Sequence, residues 1–175
     1  MTDSSTTRQK AFFFDRDGVI NVDHGYVSKI EDFEFTDGIF PVMRALSKKG
    51  YTLIVVTNQS GIGRGLYTEE DLQQLTAWMV EQFAVEGVDI AAVYSCPHAP
   101  DAGCDCRKPK PGLFLRAIQE HDIDPYVSWI VGDKTSDMQA AAAAGICNCV
   151  LLGDADPVHS THIISKLSEL LELPV

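Results

Sequence analysis

Asp15 and Asp17 stand two residues apart, immediately after the apolar run Ala11–Phe14. Acids this close repel unless a cation or a shared proton intervenes, and Mg²⁺ with oxygen ligands relieves that repulsion. An Asp-x-Asp-Gly sequence also suits a plain turn. Thr57-Asn58-Gln59-Ser60-Gly61 offers a hydroxyl and backbone N–H groups that can hold phosphoryl oxygens. Arg107, Lys108 and Lys110 concentrate positive charge in a chain of net charge −11. An acidic protein that binds phosphate must gather its cations locally, although a charge run can equally be a solvated surface. Gly132-Asp133-Lys134 ends another apolar run. Asp133 reads as a metal ligand and Asp137 as a cap on the next helix.

A second constellation is Cys96-x-His98-x5-Cys104-x-Cys106. Three thiolates and one imidazole satisfy tetrahedral Zn²⁺ with no open position, so the site would be structural. Free thiols are the alternative, and a disulfide suits a reducing compartment poorly. Residues 95–107 contain little that can bury a core, so a metal would supply order and fix Arg107 and Lys108. Cys147 and Cys149 read as small buried hydrophobes.

Stepping along the chain, apolar runs alternate with amphipathic stretches. Strands are expected at Ala11–Phe14, Thr52–Thr57, Ala91–Tyr94, Val127–Val131 and Asn148–Leu152. Helices are expected at Pro41–Lys49, Thr68–Glu86, Gly112–His121, Ser136–Ala144 and Ser160–Leu171. Thr68 with Asp71 makes a cap for the second of these. The alternation predicts βαβ units and a parallel sheet covered on both faces. Ligands then sit beyond the carboxyl ends of the strands, which is where the unusual residues fall.

The 175 residues suit one domain, with residues 1–9 expected to be flexible. The acidic balance speaks against duplex nucleic acid as a partner. No apolar run approaches membrane-spanning length. Met1–Lys10 lacks a secretory signal pattern, so a cytoplasmic location is expected. No extended apolar helix face is left over, which favours a monomer. The run Gly61-Ile-Gly63-Arg-Gly65 is not a dinucleotide fingerprint.

Asp15/Asp17, Thr57, Lys108 and Asp133, in that order, resemble the four motifs of the haloacid dehalogenase (HAD) superfamily of aspartate-nucleophile phosphatases. The resemblance implies a three-layer, Rossmann-like α/β fold with a central parallel sheet. It implies that Asp15 attacks phosphorus and that Asp17 exchanges the proton with the leaving alcohol and then with water. Thr57 and Lys108 would hold phosphoryl oxygens. Asp15, Asp17 (through its backbone carbonyl) and Asp133 would bind Mg²⁺. No insertion is large enough for a separate cap domain.

The combination is narrower than the superfamily. Asp15-Arg16-Asp17-Gly-Val-Ile-Asn-Val-Asp23-His24-Gly25-Tyr26, the Thr57–Ser60 loop, the cysteine loop and Gly132-Asp133-Lys134 resemble the D-glycero-D-manno-heptose-1,7-bisphosphate 7-phosphatase family. That resemblance implies substrate contacts from Arg16, Asp23, His24, Gly25, Tyr26, Asn58, Gln59, Ser60, Arg107 and Lys134. It implies release of the 7-phosphate on the way to nucleotide-activated heptose for a surface glycan such as lipopolysaccharide. Other readings remain at this point. Tyr26 can instead pack on Phe33 or Phe35, and His24 and Lys134 can be surface residues. Histidinol-phosphate phosphatases share the motifs and a similar zinc loop, although their sequences differ after the first motif. Polynucleotide 3′-phosphatases share the acid pair and the Thr-Asn-Gln loop. A zinc-based binding module would leave Asp15, Asp17 and Asp133 without a purpose. The preferred anomer at C1 is open.

Overall fold

The computed structural model describes residues 7–175. Its strands are β1 (Ala11–Phe14), β2 (Thr52–Asn58), β3 (Ile90–Cys96), β4 (Trp129–Gly132), β5 (Asn148–Leu152) and β6 (His162–Ile164). Its α-helices are α1 (Ile39–Lys48), α2 (Glu69–Val85), α3 (Gly112–Glu120) and α4 (Thr135–Ala143). Among the described residues the strands form one sheet in the order β3-β2-β1-β4-β5-β6, every pairing parallel. The order reverses between β1 and β4, the place where such sheets open a ligand crevice.

The sheet is apolar on both faces because both are covered. Phe12 and Phe14 point to the layer of α1 and α2, where Met43, Leu46, Leu75, Met79 and Phe83 pack. Ala11 and Phe13 point to the opposite layer, against Phe114 and Ala117 of α3 and Met138 and Ala141 of α4. All four β1 residues are fully buried. Truncating a phenylalanine there would cost roughly 3–5 kcal/mol. This central strand therefore gives Asp15 a rigid base.

Thr68 and Asp71 form the expected capping box: Asp71 N–H donates to Thr68 Oγ1 at 3.1 Å and Thr68 N–H to Asp71 Oδ2 at 2.8 Å. Three expectations are corrected. Cys147 is exposed rather than buried, whereas Cys149 is buried as expected. The segment Ser160–Leu171 is not one helix. His162–Ile164 pairs with Val150–Leu152 as an edge strand, leaving Ile163 exposed and Ile164 buried. A 3₁₀ helix over Leu167–Glu172 follows, burying Leu167 and Leu170 at that helix's three-residue period. Pairing to β5 outweighed the local helical spacing. The fourth strand begins at Trp129 rather than Val127, because Asp124 caps a 3₁₀ turn over Pro125–Val127.

Of the segment expected to be flexible, residues 1–6 lie outside the described residues. Gln9 is tied down: its N–H donates to Asp122 O at 2.9 Å and its carbonyl accepts from Asp124 N–H at 2.8 Å. Among the described residues no helix is long and apolar enough to cross a membrane.

Candidate active site and cysteine cluster

Asp15 follows β1 directly, and its N–H donates to Val131 O of β4 at 3.1 Å. The chain then folds back on itself. Ile20 N–H donates to Arg16 O and Gly18 N–H to Asn21 O, both at 2.8 Å. Gly18 adopts φ +88°, and a Cβ on it would lie 2.1 Å from Asp133 Oδ2. Only glycine allows the first acidic turn to approach the β4 acid this closely.

Asp15, Asp133 and Asp137 each bring a carboxylate oxygen to within 4.8 Å of the others. Lys108 lies among them, with Nζ 2.9 Å from Asp15 Oδ1 and 2.6 Å from Asp137 Oδ1. Burial alone would lower the lysine's pKa, but Asp137 and Asp15 hold it above its ordinary value. Burial raises Asp15, and the Asp137 charge adds to that effect against Lys108. Asp133 is pushed up to about 7 by burial first and by the Asp15 charge second. Its buried Oδ1 has no hydrogen-bond partner among the described residues. Close, under-compensated carboxylates with an orphaned oxygen suit a hard divalent cation.

Asp137 also caps α4, accepting from Lys134 N–H at 3.1 Å. The capping role expected from sequence is therefore present. Its approach to Lys108 and to the other acids was not anticipated, because capping already accounted for an acid in that position.

A cleft of about 710 Å³ opens over these residues. It gathers Asp15, Asp17, Asp23, Gly25, Tyr26, Asn58, Gln59, Ser60, Arg107, Lys108 and Lys134 from the sequence-derived set. Asn58 and Lys108 bond reciprocally: Lys108 N–H donates to Asn58 Oδ1 at 3.1 Å, and Asn58 Nδ2 to Lys108 O at 3.2 Å. This pair ties the end of β2 to the cation segment. Lys134 Nζ lies 3.4 Å from Asp23 Oδ2. Arg107 Nη1 is buried without a partner among the described residues.

Several expected contacts fall elsewhere. Arg16 is 1% exposed and does not line the cleft. Its Nη2 donates to Asp17 Oδ1 and to Val27 O, each at 2.7 Å. His24 faces a neighbouring depression and pairs with Glu34 at 2.9 Å. Tyr26 does not stack on Phe33 or Phe35. It is half exposed in the left-handed region at φ 51°, with Arg64 over its ring. Thr57 is buried, and Gln59 Nε2 donates to its Oγ1 at 2.9 Å. Sequence reasoning missed Tyr67, which lines the cleft and donates its hydroxyl proton to Gln59 Oε1. No sequence signal pointed to it: Gly61 makes room for the ring, which a Cβ there would meet at 2.1 Å, but a lone glycine does not name its partner.

Cys96, at the end of β3, meets His98, Cys104 and Cys106 with all four ligand atoms within 4.8 Å of one another. Cys96 Sγ lies 3.7 Å from Cys104 Sγ and 3.1 Å from Cys106 Sγ, and His98 Nδ1 lies 3.2 Å from Cys106 Sγ. Thiolates about 2.3 Å from one ion stand about 3.8 Å apart at tetrahedral angles, so small shifts would seat a metal. The cluster also reaches the phosphate-type loop. Gln59 N–H donates to Cys96 O and Gly63 N–H to Pro97 O, both at 2.8 Å.

A family model described as HAD-hydrolase-like matches residues 105–170. A D-glycero-beta-D-manno-heptose-1,7-bisphosphate 7-phosphatase of Photorhabdus laumondii is 51% identical over 173 residues, covering 91% of this chain and 92% of the relative. A protein of the same name from Escherichia coli K12 is 50% identical, covering 85% and 81% of the two chains. The crystal structure of D,D-heptose 1,7-bisphosphate phosphatase from B. bronchiseptica, complexed with magnesium and phosphate, superposes with TM-score 0.85 at 32% identity. That likeness covers 94% of this chain and 97% of the other.

Proposed function

This chain belongs to the D-glycero-beta-D-manno-heptose-1,7-bisphosphate 7-phosphatase family of HAD hydrolases, and on that premise we propose how its residues release the 7-phosphate. The activity is Mg²⁺-dependent hydrolysis of a phosphomonoester on a sugar bisphosphate. The observation that carries the residue assignment is the meeting of Asp15, Lys108, Asp133 and Asp137 beneath one cleft, at the β1/β4 reversal.

Asp15 is the nucleophile. Its carboxylate oxygen forms a bond to phosphorus while the bond from phosphorus to the sugar's O7 breaks, giving an aspartyl-phosphate. Asp17 gives its proton to that leaving oxygen, then takes one from the water that cleaves the aspartyl-phosphate and restores Asp15. Lys108 faces Asp15 and is placed, with Thr57, to donate to the transferring phosphoryl group. Asp15 and Asp133, with the Asp17 backbone carbonyl, are the metal-holding groups, and Asp137 completes the acidic surround. Mg²⁺ bound there would screen Asp15 from the phosphate and offset charge as the phosphoryl group transfers. Arg107 and Lys134 are further cations of the cleft lining and are the candidates for the 1-phosphate.

The beta descriptor in the relatives' names supports the β-anomer as the preferred substrate. The product, a heptose 1-phosphate, retains the group that nucleotide activation requires. Zn²⁺ at Cys96, His98, Cys104 and Cys106 would have all four positions filled and so would order the loop rather than react. A single chain in the cytoplasm, where such thiols stay reduced, completes the reading.

The test is Mg²⁺-dependent phosphate release from both anomers of the heptose 1,7-bisphosphate and from histidinol phosphate, side by side. The β-bisphosphate is expected to be turned over best. Preference for histidinol phosphate would keep the aspartyl-phosphate chemistry and overturn the substrate.

A further inference from the structure

Both oxygens of the Asp17 carboxylate are already engaged, and unequally. Oδ1 accepts from Arg16 Nη2 at 2.7 Å, Arg16 Nε at 3.2 Å and Asn21 Nδ2 at 3.0 Å. Oδ2 accepts from the neutral Gln59 amide, Nε2, at 2.9 Å. A proton on Oδ1 would point an O–H at a guanidinium and an amide, none of which can accept it. A proton on Oδ2 meets no such conflict: the hydroxyl oxygen still accepts from Gln59 while its hydrogen turns toward the cleft that Asp17 lines.

The Gln59 amide has a defined direction. Tyr67 donates to Oε1, so Nε2 is the end that faces Asp17 and Thr57. Gln59 is 2% exposed and Arg16 1% exposed, so neither is free to swing. We propose that Gln59 and Arg16 are positioning residues, which keep the exchangeable proton of Asp17 on Oδ2 and aim it at the leaving oxygen. This replaces the direct substrate contact expected of both. It rests on the reading of Asp17 as the acid given above. The transfer balances simply: the Oδ2–H bond breaks, an O–H bond forms on the leaving oxygen, and that oxygen keeps the electron pair of its former bond to phosphorus.

The experiment compares two leaving groups under single turnover with Mg²⁺. The heptose bisphosphate leaves as an alkoxide that needs a proton, whereas p-nitrophenyl phosphate leaves as a stabilised phenolate that does not. Gln59→Met is expected to slow phosphoryl transfer from the heptose bisphosphate about tenfold or more, a fraction of the full effect of a general acid. Release of p-nitrophenolate should change less than about twofold, and KM for the sugar should stay in place. Arg16→Lys keeps the charge and loses the paired Nε and Nη2 contacts. It should show the same selectivity and carries the test if Gln59→Met fails to fold. Equal slowing on both substrates, or a raised KM with an unchanged rate, would overturn the proposal. Asp17→Asn in the same panel separates the two levels. Selective loss in Asp17→Asn without selective loss in Gln59→Met or Arg16→Lys overturns the positioning role alone. Equal loss on both substrates in Asp17→Asn overturns the acid reading and the positioning role together.

Discussion

Lys108 Nζ and Asp137 Oδ1 stand 2.6 Å apart, with side chains 2% and 1% exposed. The lysine's other two protons are also used, on Asp15 Oδ1 at 2.9 Å and on Val56 O at 2.8 Å. One ammonium thus holds Asp15, a helix cap and the end of β2 in fixed relation. It must exchange one of these acceptors when a phosphoryl oxygen arrives.

Lys108→Met therefore strands two buried acids. It is expected to destabilise the Mg²⁺-free protein by roughly 3–5 kcal/mol, the usual cost of breaking a buried pair. Urea unfolding measures this. The double variant Lys108→Met/Asp137→Leu should recover much of the stability, because it removes charge from both sides, and should recover no turnover. A double variant as unstable as the single one would show that the pair is not what holds these segments.

Asp15→Asn should keep the fold and abolish turnover, since an amide is not the carboxylate nucleophile. Asp17→Asn should bind phosphate and turn over at least ~10²-fold more slowly. Phosphate release against circular dichroism separates lost chemistry from lost structure. Near-normal turnover in either variant would remove that residue's role.

The placement of an acid was legible in sequence where it directly follows a buried strand. Asp15 directly follows Ala11–Phe14, and Asp133 follows Trp129–Val131 after one glycine, so both fall at the sheet's carboxyl edge. Side-chain direction was less legible. Arg16 lies between Asp15 and Asp17 in sequence, yet it turns inward to Val27 O and over the Phe33 ring. His24 turns to Glu34, a partner ten residues away that no periodicity connects to it. The last helix was misjudged because Ile163, Leu167, Leu170 and Leu171 suit a helix as isolated spacing. The open edge of β5 offered His162–Ile164 backbone partners that local spacing cannot register.

The cysteine cluster should matter to the cleft as well as to its own loop. Gly63 packs so tightly on the cluster's backbone that a Cβ would lie 2.5 Å from Ala99 N and 2.9 Å from Pro97 O. Cys104→Ser should lose bound zinc, measured by metal analysis. It should lower turnover through two connections, Arg107–Lys108 on one side and Gln59–Gly63 on the other. Full zinc content and full activity in Cys104→Ser would make the cluster incidental.

Gly18→Ala tests how closely the acids must approach. Its Cβ would overlap Asp133 Oδ2 and would also sit at φ +88°, where side chains are disfavoured. Mg²⁺ affinity is expected to fall more than stability, because Asp133 can move aside whereas the metal needs it in place. Calorimetric titration of Mg²⁺ beside a melting curve reads both. A variant that melts far lower but binds Mg²⁺ normally would reverse that ordering.

Metal binding should itself depend on pH in a direction set by Asp133. Burial and the Asp15 charge push this carboxyl up to about 7 in the metal-free protein, so near neutrality a proton competes for the oxygens that a cation needs. Affinity for Mg²⁺ should rise about tenfold per pH unit up to about 7 and then level off. In stability terms, a carboxyl with a raised folded-state pKa favours the fold at low pH and loses that contribution as pH climbs through about 7. Mg²⁺ replaces what is lost, so its stabilising shift in Tm should be larger at pH 8 than at pH 5.5. Titrations in buffers of different ionisation enthalpy should show about one proton released per Mg²⁺ at pH 6 and almost none above pH 8. Equal affinity across that range would mean that Asp133 is ionised throughout, and that Lys134, 4.0 Å from its Oδ2, compensates its charge better than the burial implies.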